Sequence, residues 1–462
     1  MAKKRRTNRA VAAIIVTALA AAVGIPAVTR IQLRSHVVPL PDLSSQPAAV
    51  RSHLEAERRA ALDDISNDAA AGAYCLALHA DMFFDAAERC YEGVERRDAA
   101  NWRWTYYRAL ILDENGGGQP FVDAMRRVTA SAPDYGPAWW RLGEAEFKLG
   151  EYDAAADAWR RAMAAPEPER GPGTPVRTAD IPLAAYARLG LARISLSKND
   201  AEGARPLLEA AVAAAPRFGS AYRLLAEAEE ALHRDSEARA AKLRADRLPQ
   251  YAPYADPLIE ALARTSRNST FLLRQASEAD LAANAAWSEF LIRRALGFDP
   301  DNPDVLAKLG RLLRTLGRNE EALDVLRAYH DKVPGDLQGL AQLGSCLSDL
   351  HQFAEAERML RQALAGLDDA QTHYNLGVVL GATDRVGEAV EEYRKALQRD
   401  PYLFDAGNNL AAAYAREGRL ADAAAELQKI LAADPDNVMA RANLQLIGRA
   451  VPAPPARPPA RR

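Results

Sequence analysis

The chain has 462 residues, with 59 Lys and Arg against 62 Asp and Glu and a formal net charge of −3. That balance exerts no electrostatic pull on a polyphosphate, so no nucleic-acid partner is expected. Ala, Leu, Arg and Glu dominate and aromatics supply only 7% of residues, a composition that points to an all-α helical array.

The chain opens "MAKKRRTNRAVAAIIVTALAAAVGIPAVTRIQLR", residues 1–34, in which Lys3, Lys4, Arg5, Arg6 and Arg9 precede an uncharged run from Ala10 to Thr29. At about 1.5 Å per residue that run is about 30 Å long, enough to cross a bilayer. The excess of basic residues before it over Arg30 and Arg34 after it predicts an inside N-terminus, with everything that follows outside the cytoplasm. A cleaved signal peptide is the alternative, with small residues at Ala20 and Ala22 and helix-loosening Gly24 and Pro26. The anchor is preferred because the run exceeds the roughly 7 to 15 apolar residues of a signal core. The bias to Ala, and to Arg over Lys, suggests a GC-rich bacterial genome. The expected location is therefore the inner membrane, single-pass, with the folded part in the periplasm; a cleaved signal would leave that part soluble there.

Residues 35–67 read as a linker, "SHVVPLPDLSSQPAAV" at its start, and a first helix. From 68 to 248 the pattern is that of a degenerate helical array. Cys75 and Cys90 are read as two small buried thiols; a disulfide across a helix pair is the alternative in an oxidising compartment. With Cys346 they are too few for a disulfide framework and have no metal-ligand spacing. The cluster "NWRWTYY", with Trp102, Trp104, Tyr106 and Tyr107, reads as core filler, and the Gly run at Gly116 as a turn. "AWWRLGEAEFKLGEYDAAADAWRRAM" carries Gly143, Gly150, Ala155 and Trp159; the next Leu-Gly pair, at Gly190, comes 47 residues on, the surplus matching a solvated insertion, "PEPERGPGTPVRT", from Pro166.

Residues 249–300 combine a Pro-rich seam, Pro249 to Pro257, expected as a bend between two half-arrays, with a degenerate repeat. From 301 to 447 the repetition is regular. Small residues at Gly310, Gly344, Gly377 and Ala411 fall 34, 33 and 34 apart, and Ala322, Ala356, Ala389 and Ala423 follow each by twelve. A fixed period of this size means stacked supersecondary units. Each unit reads as two amphipathic helices around a tight turn. Gly317, Asp384 and Gly418 suit the left-handed conformation that ends the first helix, and Pro334, Pro401 and Pro435 stop the second. Residues 448–462, Pro-rich and poor in large apolar groups, are expected to be a disordered tail.

Together these residues resemble the tetratricopeptide repeat (TPR) family: a Leu-Gly pair, then Ala, an aromatic or Leu, Ala and Pro, at a period of 34 from roughly Asp68 to Ile447. The resemblance implies an all-α superhelical solenoid of antiparallel helix pairs, preceded here by the N-terminal transmembrane or signal helix. First helices of such a solenoid line a concave groove that binds peptides or proteins, and self-association through worn or capping units is common. The residue two before each small slot faces that groove, which gives Arg141, Arg188, Lys308, Gln342, Asn375, Asn409 and Asn443. The late amides, 34 apart, would form a ladder able to pair with the backbone of an extended peptide. The alternative is that each bonds to water or to the neighbouring repeat. The early basic residues would favour an acidic segment, unless they are solvated or paired with neighbours such as Glu144.

No zinc-binding helix, nucleophile elbow or phosphate loop occurs, so no catalytic, metal or cofactor site is expected. The expected function is a non-catalytic protein-interaction scaffold at the inner membrane, assisting assembly, secretion or biogenesis of an envelope complex. The alternative is an accessory or substrate-binding component of an enzyme acting on envelope protein or polysaccharide.

Overall fold

The computed structural model describes residues 37–169 and 181–450, apart from the last two side chains. The apolar run Ala10–Thr29, most of the insertion after Pro166 and the tail from Val451 lie outside the described residues, and with them the anchor, its alternative and the tail. Among the described residues all regular structure is α-helical, in twenty-three helices, none long and apolar enough to cross a membrane.

The chain divides into two compact units, with the boundary between Asp299 and Pro300. The first holds α1 (Ala48–Asp63), α2 (Asp68–Ala80), α3 (Phe84–Arg97), α4 (Trp102–Glu114), α5 (Gln119–Ser131), α6 (Gly136–Lys148), α7 (Tyr152–Ala164), α8 (Leu183–Ser197), α9 (Ala201–Ala214), α10 (Gly219–Ala231), α11 (Asp235–Asp246), α12 (Pro257–Thr265), α13 (Ser269–Leu281) and α14 (Ala285–Phe298). The second holds α15 (Pro303–Thr315), α16 (Asn319–Lys332), α17 (Leu337–Asp349), α18 (Phe353–Leu364), α19 (Ala370–Ala382), α20 (Val386–Arg399), α21 (Phe404–Arg416), α22 (Leu420–Ala433) and α23 (Val438–Ala450). Successive helices pair as α2/α3, α4/α5 and so on to α10/α11, then α13/α14, then α15/α16 to α21/α22; pairs pack on the next from α2/α3 to α10/α11 and again from α15/α16 to α21/α22. α12 stands outside the pairing and packs on α2.

Two local devices recur in the second unit, the second of them at α15, α17 and α19 but not at α21, where Leu403 offers no side-chain cap. The first helix ends at a left-handed residue, Gly317 (φ 72°) and Gly418 (φ 76°) in the second unit and Asp384 (φ 64°) between them. The amide that follows then reaches back, from Arg318 to the Leu313 carbonyl, Arg385 to Leu380 and Arg419 to Tyr414, each at 2.9 Å. The next first helix starts on a side-chain cap: Asn302 accepts from the amide of Asp304 at 3.0 Å, Asp336 from Gly339 at 2.8 Å, Asp369 from Gln371 at 3.0 Å. Such caps are each worth about 1 kcal/mol.

On sequence alone the small pairs, such as Gly377 with Ala389, let the two helices approach closely; in the structure the space over each Gly is filled by a third residue. A Cβ built on Gly310 would come within 2.6 Å of Leu326, on Gly344 within 2.7 Å of Leu360, and on Gly377 within 2.6 Å of Tyr393. The occupant is thus the bulky residue sixteen positions on, one turn beyond the Ala, because only a long side chain spans the gap between the two helices. Trp159 is the extreme case: fully buried, it fills the space over both Gly143 and Gly190 and ties α6, α7 and α8 into one cluster.

Three further readings need correction. Cys75 and Cys90 are joined as a disulfide across the α2/α3 pair, their Cα atoms 5.3 Å apart, and are not separate thiols; Cys346 is free and buried. His373, at a helix start where sequence alone suggests solvation, is instead buried, with Glu392 at 2.5 Å and Asp368 at 2.9 Å. The Pro-rich seam does not mark the division between the two units. It lies inside the first unit, laid along its helices.

Candidate binding grooves

The seam forms a strap. Leaving α11, the chain runs extended from Pro249 to Asp256 and meets the first helices in reverse order. On α10, Arg223 donates to the carbonyls of Pro249, at 3.0 Å, and Gln250, and Ser220 Oγ donates to Gln250 at 2.8 Å. A Cβ on Gly219 would collide with the Pro249 carbonyl, so glycine is needed where the strap crosses the start of α10. On α8, the Tyr186 hydroxyl donates to the Ala252 carbonyl at 2.8 Å. The ring of Tyr254 packs against Trp140 of α6 and Tyr186, with centroids 5.7 and 5.6 Å apart.

The strap ends on a buried carboxylate. Asp256 accepts from the Tyr106 hydroxyl of α4, from the Tyr135 hydroxyl at 2.8 Å and from Arg141 Nε of α6 at 3.4 Å, and caps α12 through the Leu258 amide at 3.0 Å. Its side chain has no solvent exposure, so these donors replace water entirely. Burial, and then the charge of Asp256, push both phenols well above their ordinary range, which keeps them protonated donors. Beyond α12 a second buried carboxylate, Asp81 at the end of α2, accepts from the Arg267 amide at 2.7 Å and lies 2.8 Å from His53 Nδ1. The inner wall of the first unit is therefore covered by the chain's own polypeptide from α10 to α2.

The seven residues expected to face a groove are each half-buried. Arg141 does meet an extended acidic segment, but one belonging to this chain. Arg188 lies on α8, two residues past Tyr186, and Lys308 on α15. In the second unit the amides stitch neighbouring repeats. Asn375 donates to Ser345 Oγ on α17 and accepts from Gln371 at 3.1 Å; the Asn409 side chain meets the Tyr374 and Tyr393 hydroxyls; Asn443 donates to Asn408 at 3.4 Å. Gln342 Oε1 is buried with no hydrogen-bond partner among the described residues.

Sequence reasoning missed Tyr135, Tyr186, Ser220 and Arg223 as wall residues and the segment Pro249 to Asp256 as their target. One signal was available: "YAPYADP" is too rich in Pro for a helix, yet it places an acid just after two tyrosines, immediately after a complete array.

The repeat chemistry agrees with comparison to known proteins. Models of the tetratricopeptide repeat family match residues 122–172, 176–217, 272–336 and 342–403, and a second such model matches 382–445, together more than half of the chain. No curated protein matches. Among solved structures, MamA (residues 41 to the end) from Desulfovibrio magneticus RS-1 is similar at 18% identity and a TM-score of 0.33, covering 37% of this chain and 97% of its own. TTC0263, a thermophilic TPR protein of Thermus thermophilus, is similar at 22% identity and 0.35, covering 39% and 99%. YrrB, described as a TPR protein with an unusual peptide-binding site, is similar at 19% identity and 0.33, covering 42% and 97%. With family-model matches over more than half its length, the chain belongs to the tetratricopeptide repeat family.

Proposed function

We propose that this chain is a non-catalytic protein-interaction scaffold whose second unit presents Lys308, Gln342, Asn375, Asn409 and Asn443 to an extended peptide of a partner protein. The observation that carries this reading is the column of half-buried amides on successive first helices. Asn375, Asn409 and Asn443 are each oriented by a bond to a neighbouring residue yet keep hydrogen-bonding capacity, since a carboxamide offers two donors and two acceptor lone pairs. Residues four before and three after a helical position share its face. Beside the amides lie Val378 and Ala412, and beside Asn443 the exposed Met439 and Leu446, 64% and 62% accessible. Amides for the backbone and apolar neighbours for side chains is the division of labour that peptide recognition uses.

The scaffold works outside the cytoplasm, tethered at the bacterial inner membrane, and serves assembly, secretion or biogenesis of an envelope complex. Two observations support this placement: the basic cluster before the apolar run Ala10–Thr29, and the Cys75–Cys90 disulfide, a bond that persists in oxidising compartments and is rare where glutathione keeps thiols reduced.

Affinity capture from detergent extract tests the groove. A stoichiometric protein partner is expected with the unaltered chain and should be lost on changing Asn375, Asn409 and Asn443 together to Ala; a partner unaffected by the triple change contradicts the amide column. A reporter active only outside the cytoplasm, fused after Arg34, tests the placement separately: it should be active, and activity only from a cytosolic reporter at the same site contradicts it.

A further inference from the structure

The strap has the attributes of a bound peptide. Pro249 to Asp256 belongs to no helix and no strand. It is held by side chains reaching its backbone carbonyls, Arg223 and Ser220 on α10 and Tyr186 on α8, one first helix after another, as a groove holds an extended ligand. Its one charged group, Asp256, enters a pocket where Tyr106, Tyr135 and Arg141 converge from α4, the α5–α6 turn and α6. Each of these contacts joins residues far apart in sequence, 150 for Tyr106 with Asp256 and 66 for Tyr186 with Ala252, so none is imposed by local chain geometry. The strap is covered on one side only: Tyr251 is 59% exposed, and a cavity of about 410 Å³ lies beside it, lined among others by Asp113, Trp140, Arg141, Tyr251 and Arg274.

We propose that residues 249–256 are a ligand in cis. The inner wall of the first unit is a binding site for an extended polypeptide carrying one carboxylate; the chain's own Asp256 segment fills it, and an acidic extended segment of a partner protein takes its place. The carboxylate sets the specificity, because Arg141 and two protonated phenols leave an uncharged segment with three buried donors unmatched. The tether sets the threshold. A segment joined to its site acts at an effective concentration of up to the millimolar range, so a free peptide competes only when the strap is weakened or the partner makes additional contacts. None of the residues involved belongs to the second unit, so the outcome below is independent of the amide column.

The test uses the full chain and a fluorescently labelled synthetic peptide of the strap sequence, LPQYAPYADPLIE. In the variant Asp256→Arg the cis carboxylate is replaced by a cation facing Arg141, which empties the pocket. Fluorescence anisotropy is expected to show the peptide binding this variant at least tenfold more tightly than the unaltered chain, and at least tenfold more tightly than the same peptide carrying Asn in place of the Asp. Should Asp256→Arg lose its helical circular dichroism, Asp256→Asn with residues 249–253 replaced by a Gly-Ser sequence provides the same vacancy without added charge. A folded variant that ignores the peptide, or binds the Asp and Asn peptides alike, overturns the proposal. So does loss of fold in both variants, which would make the strap a permanent part of the core.

Discussion

The two units use one repeat architecture and differ in what their first helices carry on the inner face. In the first unit the wall carries long side chains that reach across to the strap, Tyr106 and Arg141 to its carboxylate and Tyr186 and Arg223 to its backbone carbonyls, and the face is filled. In the second the first helices carry shorter carboxamides that bond to the adjoining repeat, as Asn375 does with Ser345 and Asn443 with Asn408, with hydrogen-bonding capacity left over. Side-chain length decides between the two outcomes. A phenol or guanidinium projects far enough to organise a segment lying on the wall; a carboxamide organises the wall itself. The solenoid supplies position, and these few residues supply function.

All six tryptophans, Trp102, Trp104, Trp139, Trp140, Trp159 and Trp287, lie in the first unit, so tryptophan fluorescence follows that unit alone while circular dichroism follows both. The sharpest way to break the comparison is Trp159→Ala. It empties the space over Gly143 and Gly190 at once and should cost about 3–5 kcal/mol in denaturant unfolding followed by tryptophan emission. A loss under about 1 kcal/mol would mean that α6, α7 and α8 are not held by this residue. Next in size, Cys75→Ser with Cys90→Ser opens a bridge between residues 15 apart and should cost about 3 kcal/mol in the same assay, with native protein under reductant shifting equally.

The smallest expected effect is a pH dependence that only the first unit should show. His79 is buried among Phe84, Tyr91 and Tyr107, with Arg274 near; burial first, and that guanidinium second, bring its imidazole down to about 3. The unfolded chain protonates the same ring near 6.5, so between these values the unfolded state binds more protons. Stability present above pH 6.5 is lost as pH falls towards 3, by up to about 1.4 kcal/mol per unit. Tryptophan-monitored unfolding at pH 7 and pH 5 should show it, and His79→Phe should flatten the difference. A steeper fall in that variant would exclude His79 as the source.

What was legible in the sequence is what the 34-residue period repeats: the left-handed turn at Gly317, Asp384 and Gly418 and the small residues at Gly310, Gly344 and Gly377. Each is a local steric or hydrogen-bonding demand, and a residue type answers it directly. The identity of the slot's occupant was not legible, because pairing Gly377 with Tyr393 and not Ala389 depends on the distance between two helix axes. The strap was hidden for a stronger reason. Asp256 is an ordinary helix cap until the fold brings Tyr106, 150 residues earlier, against it. The disulfide was legible as a spacing but not as a bond, since two small cysteines on facing helices satisfy the same pattern either way.

Photo-crosslinking at the strap tests the filled-against-open contrast most directly. With p-benzoylphenylalanine in place of Tyr254 in the full chain, irradiation should join that position to peptides containing Trp140 or Tyr186 of the same molecule, whereas the same group in place of Ala412 on α21 should give no long-range intramolecular product. A Tyr254 probe that finds neither helix, or an Ala412 probe captured by a distant segment of its own chain, would contradict the account.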